Sequence, residues 1–310
     1  MSNPSFEVAS PTEYAVLRTL HYFAIFRHPL QADEVLGYIN LPLTTQEDVT
    51  SALRELEERD LVFCFDGYYQ VENNPEWLSA RLASNRRAEQ FMPMARRMSR
   101  FIGGFPFVRS VFVSGSLSKG CMAPDGDIDF FIITHPGRLW LARTLLVIFK
   151  KIFLFNSHKY FCINYFIDTD HLEIEEKNIY TATETVTLLP MYGPEWADPF
   201  RAANEWAWQY YPHFQQKETE AMSRQKNSRV KRWAEWLLGS RLGDWLDRRA
   251  MHLTVMYWQR KFSHYDRGDY GVALKSRRYV SKHHPLFFQK KVLNELHDRM
   301  NGIDCQLETR

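Results

Sequence analysis

Val111-Phe-Val-Ser-Gly-Ser-Leu-Ser-Lys-Gly-Cys-Met-Ala-Pro-Asp-Gly-Asp-Ile-Asp-Phe-Phe-Ile-Ile-Thr134 sets two apolar runs on either side of a turn and a cluster of acids. Val111 to Val113 and Phe130 to Ile133 are β-branched or aromatic, the composition of strands buried on both faces. Gly115-Ser116 closes the first run. A glycine there lets a phosphate approach the backbone, and the serine hydroxyl with the amides of a helix start can bind its oxygens. Lys119 brings positive charge close by. Asp127 and Asp129 stand two residues apart on the second strand. The two-residue side-chain period therefore predicts both carboxylates on one face, able to share Mg²⁺ ions. Ile128 and Phe130 then turn the other way, into the core.

The alternation of Asp125, Asp127 and Asp129 also suggests a calcium loop, but such a loop needs a glycine where Phe130 stands and a later bidentate Glu. Phe130 opens a hydrophobic strand instead. Acids of an ordinary solvated turn are the plainer alternative.

These residues resemble the Gly-Ser, spacer, Asp-x-Asp pattern of the DNA polymerase beta-like nucleotidyltransferase superfamily, with residues 117 to 126 as the spacer and the similarity spanning residues 81 to 190. The resemblance implies an α+β fold whose centre is a palm, a mixed sheet with flanking helices. It also implies that Gly115 and Ser116 hold a triphosphate, with Lys119 beside them, and that Asp127 and Asp129 bind catalytic Mg²⁺, or Mn²⁺ in its place. In that family a third carboxylate comes from the neighbouring strand, here Lys159 to Asp168, and the position that aligns with it is Asn164. An amide ligates a metal weakly and is no general base near neutral pH. Asp168 is the next candidate by period two, about 13 Å further along the strand. Asp170, Glu173 and Glu184 are expected to be ordinary surface acids.

The chain has 310 residues, 45% of them hydrophobic and 15% aromatic, which predicts a globular protein of two or three domains. Cys64, Cys121, Cys162 and Cys305 are scattered without a Cys-x-x-Cys pair, which argues against a zinc site or a disulfide framework and for a reducing, cytoplasmic setting. Met1 to Ser10 lacks a signal-peptide arrangement. Leu139 to Phe155 is the longest apolar stretch, but Arg143, Lys150 and Lys151 make it an amphipathic helix packed on the sheet, so no membrane is expected as a partner.

Residues 1–76 form a second recognisable unit. Helices are expected at Thr12 to Phe26, Gln31 to Ile39 and Thr45 to Arg59, with Thr45 as a cap. A hairpin follows, turning at Asp66-Gly67. Three helices and a two-stranded wing resemble a winged helix-turn-helix domain. Thr45 to Asp60 carries six acids against two bases, a charge that phosphates repel. A protein partner or regulatory contact is therefore expected there in preference to DNA.

Residues 77–194 are expected to hold the transferase unit, opening on a basic helix from Trp77 to Phe101 and closing on a helix from Thr181 to Leu189 that stops before Pro190. Residues 195–310 are expected to be helical, with Trp196, Trp206, Trp208 and Tyr210 as helix core. From Arg224 onward nineteen Lys or Arg face nine Asp or Glu, a local charge of +10 against −8 for the remainder of the chain. Trp233, Trp236, Leu237, Trp245, Leu246 and Leu253 recur near helical spacing and are expected to pack inward. The densest basic patch, Lys275-Ser-Arg-Arg278 with Lys282-His-His284, is either a solvated face or a seat for the triphosphate or a phosphate-bearing acceptor, such as RNA or a second nucleotide.

Taken together, these features predict a nucleotidyltransferase that moves a nucleoside monophosphate from an NTP to an unidentified hydroxyl. The alternatives are a non-catalytic nucleotide sensor or scaffold and, behind it, a winged-helix transcription regulator.

Overall fold

A computed structural model describes residues 10–155, 159–216, 228–265, 267–283 and 287–309. The stretch read for a leader, residues 1–9, and His284 and Pro285 of the basic patch lie outside them.

The N-terminal unit starts with α1 (Pro11–Ala24), which Ser10 and Glu13 close with a reciprocal capping box. β1 (Leu30–Gln31), α2 (Ala32–Tyr38) and α3 (Gln46–Glu58) follow, and Thr45 and Asp48 cap α3 in the same reciprocal way. β2 (Phe63–Phe65) and β3 (Tyr68–Gln70) form the expected hairpin. Asp66 and Gly67 between them have φ of 48° and 78°, the two left-handed residues that a tight hairpin turn requires. β1 pairs with β3, which makes the sheet three-stranded.

α4 (Glu76–Gly103) leads into β4 (Val108–Ser114), the single turn α5 (Gly115–Ser118), β5 (Asp129–Thr134), α6 (Leu139–Phe153) and β6 (Cys162–Asp168). α7 (Ile179–Val186) and β7 (Leu189–Tyr192) come next, then α8 (Ala197–Ala203) and α9 (Glu205–Tyr210). The chain continues as α10 (Arg229–Leu238), α11 (Arg241–Lys261), α12 (Arg267–Ala273), β8 (Ser276–Arg277), β9 (Val280–Lys282) and α13 (Phe288–Thr309). The result is a mixed α+β protein with a six-stranded sheet in the order β7-β4-β5-β6-β9-β8. β5 and β6 are parallel, linked through α6, and the other neighbours are antiparallel.

α4, α6 and α11 cover one face of this sheet around Trp140, Phe130, Ile132 and Phe166. A smaller cluster of Phe112, Phe131, Ile133, Ile167 and Phe200 covers the other. The core of the N-terminal unit continues into α7, α9 and α13, so that unit is packed on the rest of the chain. Among the described residues no helix is long and apolar enough to cross a membrane. α6 lies on the sheet as its amphipathic pattern predicts.

Three expectations change. Leu189 and Pro190 are strand rather than helix end, and Pro190 is tolerated because β7 is an edge strand. The C-terminal region is not wholly helical, since β8 and β9 extend the central sheet from β6. Trp233, Trp236, Trp245 and Leu253 do not pack inward: they are 62%, 77%, 54% and 64% exposed. Trp196, Trp206, Trp208 and Tyr210, by contrast, pack against the cores as expected.

Candidate nucleotide and metal site

Strand register builds the site. Ser114 of β4 lies opposite Asp129 of β5, so the next residue, Gly115, turns directly beside the Asp129 carboxylate. Gly115 has φ of 68°, and a Cβ there would sit 2.6 Å from Asp129 Oδ2. The position therefore requires glycine twice over, for its backbone and for the space. The loop back to Asp127 is fastened at Met122. Ser84 Oγ accepts from Met122 N at 2.8 Å, and Arg87 Nε donates to Met122 O at 2.8 Å, both from α4.

Asp127 precedes the first residue of β5, but the ladder continues through it. Ile128 N donates to Lys159 O at 3.0 Å, and Cys162 N donates to Ile128 O at 3.1 Å. Extended backbone here keeps the alternation the sequence predicts: Ile128 is buried in the core, while Asp127 and Asp129 remain half-buried.

β6 adds the neighbours of these carboxylates. Asp129 is paired in register with Cys162, and ligand atoms of Asp127, Asp129 and Cys162 all lie within 4.8 Å of one another. Asn164 Nδ2 donates to Asp129 Oδ1 at 3.0 Å and to Cys162 Sγ at 2.9 Å. Burial, with the Asp127 charge added to it, pushes the Asp129 carboxyl up to about 7. Burial and the two carboxylates push the Cys162 thiol far above the usual range, so it stays protonated. Lys119 Nζ donates to Gly115 O at 3.0 Å and to Glu184 Oε1 of α7 at 2.8 Å. Lys150 of α6 is buried, which lowers its pKa, while the charge of Asp127 pulls the other way.

The donor set suits a hard divalent cation at two oxygens, Asp127 and Asp129. The third position is neutral. Asn164 points its amide nitrogen at Asp129, and a protonated, soft Cys162 is a poor ligand for Mg²⁺.

The structure brings Gly115, Ser116, Lys119, Asp127, Asp129 and Asn164 together and leaves Asp168 out. A register shift between Phe130 and Phe131 pairs those residues with Ile163 and Tyr165 and leaves Asn164 as the bulged residue. The shift breaks the two-residue period that assigned Asn164, Phe166 and Asp168 to one face. Phe166 lies in the core under α6, and Asp168 pairs with Thr134 at the far end of β5. There its carboxylate accepts from Asp170 N at 3.1 Å and meets His171 Nδ1 at 2.8 Å. Asp170 and Glu173 are surface acids as expected, whereas Glu184 joins the site by holding Lys119.

Sequence reasoning missed Cys162 and Lys150. Cys162 was within reach, since it lies two residues before Asn164 on the same strand. Lys150 carried no local signal, because its place depends on how α6 crosses the sheet. The C-terminal basic patch faces acids of its own chain: Lys275 binds Glu175 and Glu176, Arg277 binds Glu175, and Arg278 binds Asp244. No protein-family model, curated protein or solved structure matches this chain.

Proposed function

We propose that the central sheet is the palm of a DNA polymerase beta-like nucleotidyltransferase and that residues 1–76 are a winged-helix unit built onto it. The protein would transfer a nucleoside monophosphate from an NTP to a hydroxyl. The observation that carries this reading is the contact of Gly115, at positive φ, with the carboxylate of Asp129. A phosphate-accessible backbone turn and a pair of metal-binding oxygens then form one surface.

Ser116, exposed at the start of α5, offers its hydroxyl to a phosphate, and Lys119 brings the nearest half-buried cation. Asp127 and Asp129 would hold Mg²⁺, which when bound supplies neutralising charge to the triphosphate. Asn164 orients Asp129, and Ile128 locks the carboxylate pair to the core. In the transfer, the acceptor oxygen bonds to the α-phosphorus as the bond to pyrophosphate breaks. The acceptor proton passes to solvent, since β6 presents an amide and a protonated thiol to the site.

That neutral third position favours a second reading, a nucleotide sensor that binds without turnover. Pyrophosphate release by the purified protein with Mg²⁺ and each NTP in turn separates the two. Release above the level of an Asp127→Ala, Asp129→Ala double variant supports transfer. Binding without release supports the sensor.

A further inference from the structure

The two apolar faces of α11 point to a surface that the nucleotide site does not use. Gly243, Asp247, Ala250, Val255 and Trp258 turn inward onto the main core. Leu242, Trp245, Leu253 and Met256 fall on a second stripe at helical spacing, and each is exposed by half or more. α10, joined to α11 by Gly239 and Ser240, repeats the pattern with exposed Val230, Trp233, Trp236 and Leu237. A helix face this apolar normally meets something other than water.

The charges around these side chains have one sign. Arg229, Arg232, Arg241, Arg249, Arg260 and Lys261 are exposed. The three acids of these helices are already paired: Glu235 with Arg109 and Phe107 N, Asp244 with Arg138, Arg278 and Arg248, and Asp247 with Leu141 N. Among the described residues of α10 and α11, every acid has a partner on the chain, and Asp244, whose side chain is 36% exposed, is ringed by Arg138, Arg248 and Arg278. Arg249 lies 5.5 Å from the Trp245 ring centroid, so the cations and aromatics form one face.

We infer that α10 and α11 lie flat on an anionic lipid surface. Exposed tryptophan and tyrosine suit the headgroup boundary, the aliphatic side chains enter the acyl edge, and the arginines meet lipid phosphates. A second copy docked through the same face would set like charges against each other. Nucleic acid would leave Val230, Leu237, Leu242 and Leu253 against a polar backbone with nothing to stack on. A helix lying on a membrane differs from a spanning segment, so the absence of a spanning helix among the described residues does not oppose it. This departs from the sequence expectation that no membrane is involved.

The test is sedimentation of the full chain with vesicles of phosphatidylcholine alone or mixed with phosphatidylserine. Binding is expected to be about tenfold stronger to the mixed vesicles and to fall with salt. Tryptophan emission should shift to the blue and be quenched by brominated lipid. The pair Trp236→Ser, Trp245→Ser and the pair Arg232→Glu, Arg260→Glu should each weaken binding about tenfold or more, with thermal melts unchanged. Failure to bind either vesicle overturns the inference. So does binding that both variant pairs retain, a stable dimer whose formation either pair abolishes, or RNA binding lost in the same variants while vesicle binding is absent.

Discussion

Gly115 and Asp129 touch in a way that leaves no room for a side chain: a Cβ on Gly115 would stand 2.6 Å from Asp129 Oδ2, on a backbone already at φ of 68°. The Gly115 turn and the carboxylate pair are therefore a single mechanical unit. Disturbing either should disturb both.

Gly115→Ala is expected to cost about 1–3 kcal/mol of stability through backbone strain and to displace the Asp129 carboxylate. Mg²⁺-dependent nucleotide binding should fall at least about tenfold. Gly120 supplies the control, because it also has positive φ, at 73°, but its Cβ would meet nothing within 4 Å. Gly120→Ala should lower the melting temperature and leave nucleotide binding intact. Equal binding by the two variants would contradict the account.

The raised pKa of Asp129 gives the proposed metal site a pH dependence. Its ordinary value is 3.8, and burial followed by the Asp127 charge raises it to about 7. The folded chain keeps a proton that the unfolded chain has released across that window. The contribution of Asp129 to metal-free stability is therefore full below 3.8 and lost as pH rises through 7. Mg²⁺ needs the ionised carboxylate, so its thermal stabilisation should be larger at about pH 8 than at about pH 6. Equal Mg²⁺ shifts at both would count against cation binding at Asp129.

Asn164→Asp exchanges an amide that donates to Asp129 at 3.0 Å for a third carboxylate. Without metal the variant should be about 1–3 kcal/mol less stable, since a donor is lost and a like charge is added. Its Mg²⁺ affinity should rise about tenfold. Calorimetric titration of Mg²⁺ checks this, and unchanged affinity would remove Asn164 from the site.

Arg138 fastens the C-terminal helices to the sheet. It donates to Leu238 O at 3.0 Å, Gly239 O at 2.9 Å and Ser240 O at 3.1 Å, and pairs with Asp244 at 3.0 Å. Arg138→Ala should cost about 1–3 kcal/mol by urea unfolding, because three carbonyls at the α10–α11 junction and the Asp244 carboxylate lose their donor. Proteolysis should then begin near the α10–α11 junction.

Local chemistry made several features legible in the sequence. Asp66-Gly67 announced its hairpin, Thr45 its helix start, and Asp127 and Asp129 their shared face, each through contacts a few residues apart. The features it hid depend on partners distant in the chain. The bulge at Asn164 exists because β6 slips against β5, and it breaks the period that would have set Asp168 on the face of Asn164. Four residues of strand put Asp168 at the far end, as its spacing predicts. β8 and β9 are two and three residues long and carry too little pattern to announce a strand. The exposed tryptophans misled because helical spacing marks an apolar stripe without saying which of two stripes meets the core.

The central claim is that Asp127 and Asp129 hold a cation that a nucleotide shares. Calorimetric binding of a non-hydrolysable NTP, with and without Mg²⁺, to the unaltered protein and to Asp127→Ala and Asp129→Ala tests it most directly. The account predicts Mg²⁺-dependent binding to the unaltered protein, weakened at least about tenfold by either substitution while the fold is retained. Binding that ignores Mg²⁺, or that both variants keep in full, would contradict it.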